Sequence, residues 1–177
     1  HYFQPGRTLL GLVDYDLYYQ ELNNVLVIGT FDLPARWILN FNADRRTSPS
    51  LSVRNALIGQ ATASFDELLA QNTRAEIDQF ARDRTSITQL YSVSMSRPAG
   101  ELWQWTFDAS SIVVGGTPAS GELAAIPESP REMAYSALAI GNSVFTGGDL
   151  QVLALRYQTG GSMQTTSLGF SSRWPVW

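Results

Sequence analysis

The 177-residue sequence has neither cysteine nor lysine. Without cysteine it forms no disulfide and no thiolate metal site. All 12 basic residues are arginine, and Arg45-Arg46 is the single adjacent pair. The clustered cations of a nucleic-acid surface are therefore missing, and no nucleic-acid partner is expected. Charge of either sign is scarce, at 16%, against roughly 25% in an ordinary soluble domain. The one histidine is His1, which argues against a Ser-His-Asp arrangement or a histidine-bearing metal site. Gly169-Phe170-Ser171-Ser172 is not a nucleophile elbow, and no glycine run matches a phosphate-binding or dinucleotide-binding loop. The pairs Gly115-Gly116, Gly147-Gly148 and Gly160-Gly161 read as turns. The expectation is a non-enzyme with no cofactor and no metal.

Long apolar runs are also absent. No window of 18 residues is apolar enough for a transmembrane helix. No signal peptide is visible, since His1–Gln4 is not a basic leader; a secreted protein would have lost one and a fragment would not show it, and the ends HYFQPG and RWPVW suggest a piece of a longer protein.

What the sequence has is aromatic residues, at 11%, and alternation with period two, the mark of strands with two unlike faces. Val13, Tyr15, Leu17 and Tyr19 alternate with Asp14, Asp16 and Tyr18. Val25, Val27, Phe31 and Leu33 alternate with Asn24, Thr30 and Asp32. Trp37, Leu39, Phe41 and Ala43 alternate with Asn40, Asn42 and Asp44. Further runs centre on Tyr91–Ser96, Trp103–Ser110, Leu153–Gln158 and Ser167–Trp174, and Ala134–Val144 reads as a strand with undivided faces. The total is about eight strands, each near the 9–11 residues of a tilted membrane strand.

The connections sort by length. Tight turns fall at Leu33–Arg36, Arg97–Glu101 and Thr146–Asp149, and two long loops fall near 46–85 and 112–132 at the opposite end. Aromatics mark the tight-turn rim: Phe31, Trp37, Trp103, Phe145 and Trp174. Turns at one rim, loops at the other and an aromatic girdle describe an up-and-down transmembrane β-barrel. The chain reads as one domain over residues 1–177, all-β and antiparallel, complete or part of a larger barrel. Short helices are expected in the long loop, where Ser64…Glu67 and Thr73…Glu76 have capping-box form. Those helices would lie on the rim, gate the mouth or plug it.

This orientation assigns side chains to two environments. Val13, Tyr15, Phe31, Trp37, Phe41, Trp103, Trp105, Phe107 and Trp174 would face lipid or form the girdle. Asp14, Asp16, Asn40, Asn42, Asp44, Asp108, Arg156 and Arg173 would line a hydrated lumen. Asp14, Asp16 and Asp108 could otherwise be paired carboxylates for glycoside hydrolysis, but polar strand faces suit a wet interior better. A soluble β-barrel or β-sandwich that binds a ligand in its interior is the competing reading.

The run LVDYDLYYQELNNVLVIGTFDLPARWILNFNADRR, with SPSLSVRNALIGQ, SRPAGELWQW and GTPAS, resembles the C-terminal barrel region of large Gram-negative envelope proteins that carry tetratricopeptide repeats upstream. The resemblance covers most of the chain. It implies a porin-like channel or anchor in the bacterial outer membrane, with the bilayer as partner. It also implies a periplasmic repeat domain, or other envelope proteins, delivering a polymer or solute for export. It assigns no functional residue.

Overall fold

The computed structural model describes residues 2–62 and 64–175; His1 lies outside them. Nine strands form one antiparallel sheet in chain order: β1 (Tyr2–Gln4), β2 (Arg7–Asp16), β3 (Glu21–Leu33), β4 (Trp37–Ser48), β5 (Ser86–Ala99), β6 (Trp103–Val114), β7 (Glu132–Asn142), β8 (Leu150–Gly160) and β9 (Met163–Arg173). Every strand pairs with its neighbours in sequence. Among the described residues β1 pairs only with β2, and β9 only with β8, so the sheet is open. No described helix is long and apolar enough to cross a membrane.

Strands β2 to β9 run 10–14 residues, about 33–46 Å at a rise of ~3.3 Å per residue. Threonine, the other β-branched residues and the aromatics favour this extended backbone. Gly29 marks one close approach: the Phe41 ring lies where its Cβ would be. Phe41 and Phe31 stack beside it at 5.9 Å.

The two ends of the sheet differ. One rim carries the short connections 5–6, 34–36 and 100–102 and the turn 143–149. The other carries the long loops 49–85 and 115–131, shorter than expected from sequence because β4 runs on to Ser48 and β6 to Val114. That rim also holds two short links, 17–20 and 161–162, so the sorting by length is real but incomplete.

The long-loop rim is capped by a small separate core. Helices α1 (Phe65–Gln71) and α2 (Arg74–Asp83) and the short turn Val53–Leu57 bury Leu51, Ala56, Leu68, Ile77 and Ala81 with Tyr19. Tyr19 corrects the first strand. Alternation carries that strand to Tyr19, whereas β2 ends at Asp16, whose carboxylate accepts from the Tyr18 and Tyr19 N–H groups at 2.8 and 2.9 Å. This side-chain cap turns the chain and sends Tyr19 into the helices.

Only one of the two expected capping boxes forms. Thr73 and Glu76 exchange both bonds, and those contacts with Thr73 hold the Glu76 carboxyl below its usual range. Ser64 makes no side-chain cap, because the Glu67 carboxylate accepts from the Thr62 hydroxyl instead.

Candidate functional site

Register fixes which side chains share a face. Reading across paired residues, one face carries Val13, Val25, Val27, Phe31, Trp37, Leu39, Phe41, Tyr91, Val93, Met95, Trp103, Trp105, Phe107, Tyr135, Leu153, Leu155, Leu168 and Phe170. The other carries an unbroken cross-strand row, Thr30–Asn40–Ser94–Asp108–Ser136–Arg156–Ser167, to which each strand from β3 to β9 contributes one polar residue. Beside it runs Asn42–Ser92–Ser110–Ala134–Gln158–Thr165.

Exposure inverts the order of a soluble sheet. Several large apolar residues of the first face are open to the surroundings, Val93 at 41%, Trp105 at 42% and Phe170 at 72%, while Phe31, Trp37, Leu39 and Phe41 on it are half-buried. The small polar residues Ser92, Ser94, Asp108 and Ser136 are half-buried.

The polar face is cross-linked and grooved. Thr30 Oγ1 donates to Asn40 Oδ1 at 2.9 Å, Ser136 Oγ to Asp108 Oδ2 at 2.8 Å, and Arg46 pairs with Asp44 at 2.8 Å. One groove of about 280 Å³ runs past Thr30, Asn40, Asn42, Ser94 and Asp108. A second of about 380 Å³ runs past Asp108, Ser110, Ser136, Arg156 and Gln158. Both are lined by strand residues alone.

Most of the residues singled out from sequence fall on one side or the other as their alternation requires. Asp14, Asn40, Asn42, Asp44, Asp108, Arg156 and Arg173 share the polar face. Asp16 does not line it, since its carboxylate caps the turn. Val13, Tyr15, Phe31, Trp37, Phe41, Trp103, Trp105 and Phe107 share the apolar face. Trp174 lies just past the end of β9 and stacks on Phe145 at 5.8 Å. No group of three or more His, Asp or Glu side chains among the described residues is placed to hold a metal ion. The carboxylates Asp14 and Asp108 stand on β2 and β6, four strands apart, so no paired-carboxylate site forms from them.

No family model matches the chain, and neither does any curated protein or solved structure. Its function is therefore read from its own surfaces.

Sequence reasoning missed a second aromatic belt. Tyr91, Tyr135 and Tyr157 lie on the apolar face toward the long-loop rim, with Tyr135 and Tyr157 stacked at 6.3 Å. Trp37 and Ala43, the residue paired with Tyr91, are about 20 Å apart along β4 at ~3.3 Å per residue. The apolar face thus carries tryptophan toward one end and tyrosine toward the other.

The cap leans toward the rim of the apolar face. Arg82 bonds Glu21 at 2.7 Å and helps line a cleft of about 210 Å³ with Arg45, Thr47 and Ile87. Tyr18 bonds Asp78 at 2.8 Å, and Arg74 bonds Tyr18 at 3.0 Å. Arg84, buried, donates to the Ser120 carbonyl at 2.6 Å and ties the two long loops together. Burial, with Asp78 and Tyr18 alongside, pushes the Tyr19 hydroxyl above its usual range.

Asp149 organises the turn at the opposite rim. It is 2% exposed and accepts from the Phe145 and Thr146 N–H groups and from Gln151 Nε2. Burial pushes its carboxyl up, but the Gln151 amide and the N–H groups of Phe145, Thr146 and Val144 outweigh that push and hold it below the usual carboxylate range. A depressed folded value means the stabilisation is present above the unfolded pKa, about 3.9, and is lost as pH falls through the folded one. An NMR titration of the Asp149 carboxyl should therefore show a midpoint below that value, with the turn staying ordered until it is crossed. A midpoint at or above the unfolded value would contradict this account of the turn.

Proposed function

We propose that these nine strands are wall of an outer-membrane β-barrel that serves as a channel or membrane anchor, with the apolar face toward lipid and the polar face toward water. The observation that carries this reading is the register-aligned split in the middle of the sheet: Val93, Trp105, Phe107, Leu153 and Leu155 open on one face, Ser92, Ser94, Asp108 and Ser136 half-buried on the other. Burial of apolar surface drives folding in water, so a water-soluble sheet would seal Trp105, Phe107 and Leu168 inside and leave Asp108 and Arg156 out. Strand length, the two aromatic belts and the concentration of long loops at one rim support the same reading. The loop helices act as a rim cap and not as a plug, since no cap residue lines either polar groove. The resemblance to repeat-bearing envelope proteins extends the proposal to an export exit supplied by a periplasmic repeat domain.

Tryptophan emission from the folded protein in phosphatidylcholine vesicles tests this. Lipids brominated along the acyl chain should quench it, because Trp37 and Trp105 lie on the face assigned to lipid. A folded, vesicle-bound protein whose emission bromine leaves untouched would turn the reading to an interior ligand-binding module.

A further inference from the structure

The apolar face has one charged residue set among its tryptophans. Arg97 on β5 stands in register with Trp105 on β6, and its guanidinium lies over the Trp37 ring at 5.7 Å. Phe107 completes the cluster, 6.3 Å from Trp37 and 6.4 Å from Trp105. Arg97 is exposed, and among the described residues it forms no ion pair. The acids of that rim lie elsewhere: Asp32 on the opposite face, Glu101 at a turn, Asp149 enclosed in its own loop.

A second cation lies one residue from that Trp37 ring in the chain. Arg36 immediately precedes Trp37, and the pairing Ile38–Ser96 brings this end of β4 beside Arg97. Arg36 is exposed, unpaired by any described acid, and held at φ +63° directly after Ala35 at φ +61°. Such left-handed positions favour glycine or asparagine and cost other residues roughly 1–2 kcal/mol. A strained arginine at a turn where glycine would be easier points to a use for its charge.

We infer that Arg97 and Arg36 seat the phosphate of an anionic glycerophospholipid, with Trp37 and Trp105 against its glycerol and upper acyl chain. A guanidinium fork matches two phosphate oxygens, and indole rings favour the same interfacial depth. Charge complementarity selects this occupant. An apolar partner would leave two cations desolvated, and an acidic protein surface would leave the adjoining tryptophans, Leu153 and Phe170 uncovered. The inference rests on the membrane reading and names which lipid that reading brings to this rim.

The probe is a phosphatidylcholine vesicle carrying a minor fraction of brominated lipid. Of the five tryptophans, Trp37, Trp103, Trp105 and Trp174 lie near this rim, and a Trp177→Phe background throughout, Trp177 lying outside the described residues, makes the emission report on it. Brominated phosphatidylglycerol should quench the wild-type protein several-fold more, per brominated molecule, than brominated phosphatidylcholine. Arg97→Gln alone should reduce that preference, and Arg97→Gln with Arg36→Gln should abolish it, while quenching by brominated phosphatidylcholine stays unchanged. Equal quenching by both headgroups in the wild type would overturn the inference and leave the membrane reading standing. No quenching by either would overturn both. Inorganic phosphate that erases the preference at matched ionic strength would assign these cations to a soluble anion and overturn the lipid seat.

Discussion

Val93→Arg should destabilise the folded protein in a bilayer by about 2–4 kcal/mol, while Ser94→Arg, one residue along, should cost little. Both positions lie near the middle of β5, where a strand crossing the membrane is farthest from either surface. Val93 sits on the apolar face between Phe41 and Ala109. An arginine there would meet hydrocarbon with no short route to water. Ser94 sits between Asn40 and Asp108 on the polar face. An arginine there would find a carboxylate and, in the proposed orientation, a hydrated lumen. Denaturant unfolding from vesicles measures both variants against the same wild type. The contrast is sharper than either value alone, because the substitutions differ only in which way the side chain points. In a water-soluble sheet, arginine at a position as exposed as Val93 would be close to neutral. Equal costs, or a larger cost at Ser94, would reverse the orientation on which the proposed function stands.

Ile77→Ala should cost about 2–5 kcal/mol within the cap, as for other large-to-small changes at fully enclosed sites. Ile77 has no exposed surface and packs with Tyr19, Leu51, Ala56, Leu68 and Ala81. The cap has its own core, distinct from the sheet, and opening should stay local to it. Hydrogen exchange should show the amides of α1 and α2 losing protection while those of β6 to β8 keep theirs. Conductance in a planar bilayer should be unchanged, because the cap lines neither polar groove. Protection lost along the strands as well would mean that cap and wall unfold as one unit.

Much of the wall was legible in sequence, for a physical reason. Where one face is apolar and the other polar, period-two alternation identifies both, as in Trp103–Ser110 and Trp37–Asp44. The reading failed where alternation fails. Arg7–Leu12 was missed because Leu9 lies on one face while Leu10 and Leu12 lie on the other, which erases the pattern. The three-residue β1 is too short to show one, so sequence reads about eight strands where the described residues form nine. The first strand was read too far, since Leu17 and Tyr19 keep the rhythm after Asp16 has already capped the turn. The Ser64 box failed because a competing donor to Glu67, the Thr62 hydroxyl, lay beyond the four-residue motif.

Of the candidate site, the members of each face were legible strand by strand, but their alignment was not. The polar row from Thr30 to Ser167 is created by register across seven strands, and no local window contains it. The tyrosine belt was hidden for the same reason, since Tyr91, Tyr135 and Tyr157 belong to three strands. Arg97 was visible as a turn residue, yet its place between two tryptophans depends on pairings with β4 and β6.

The free flanks of the sheet have a further consequence. β9, eleven residues long, offers the unpaired backbone groups of every second residue along its outer side, and β2 beyond Leu9 offers more. Hydrocarbon supplies no partner for such groups, and each one stranded there costs several kcal/mol. A wall inserted in lipid cannot stop at these borders. Either Met163–Arg173 zips onto the free length of β2, Leu10–Asp16, and completes a ring, or additional staves stand between them. In the proposed membrane reading, that seam would set the width of the ring.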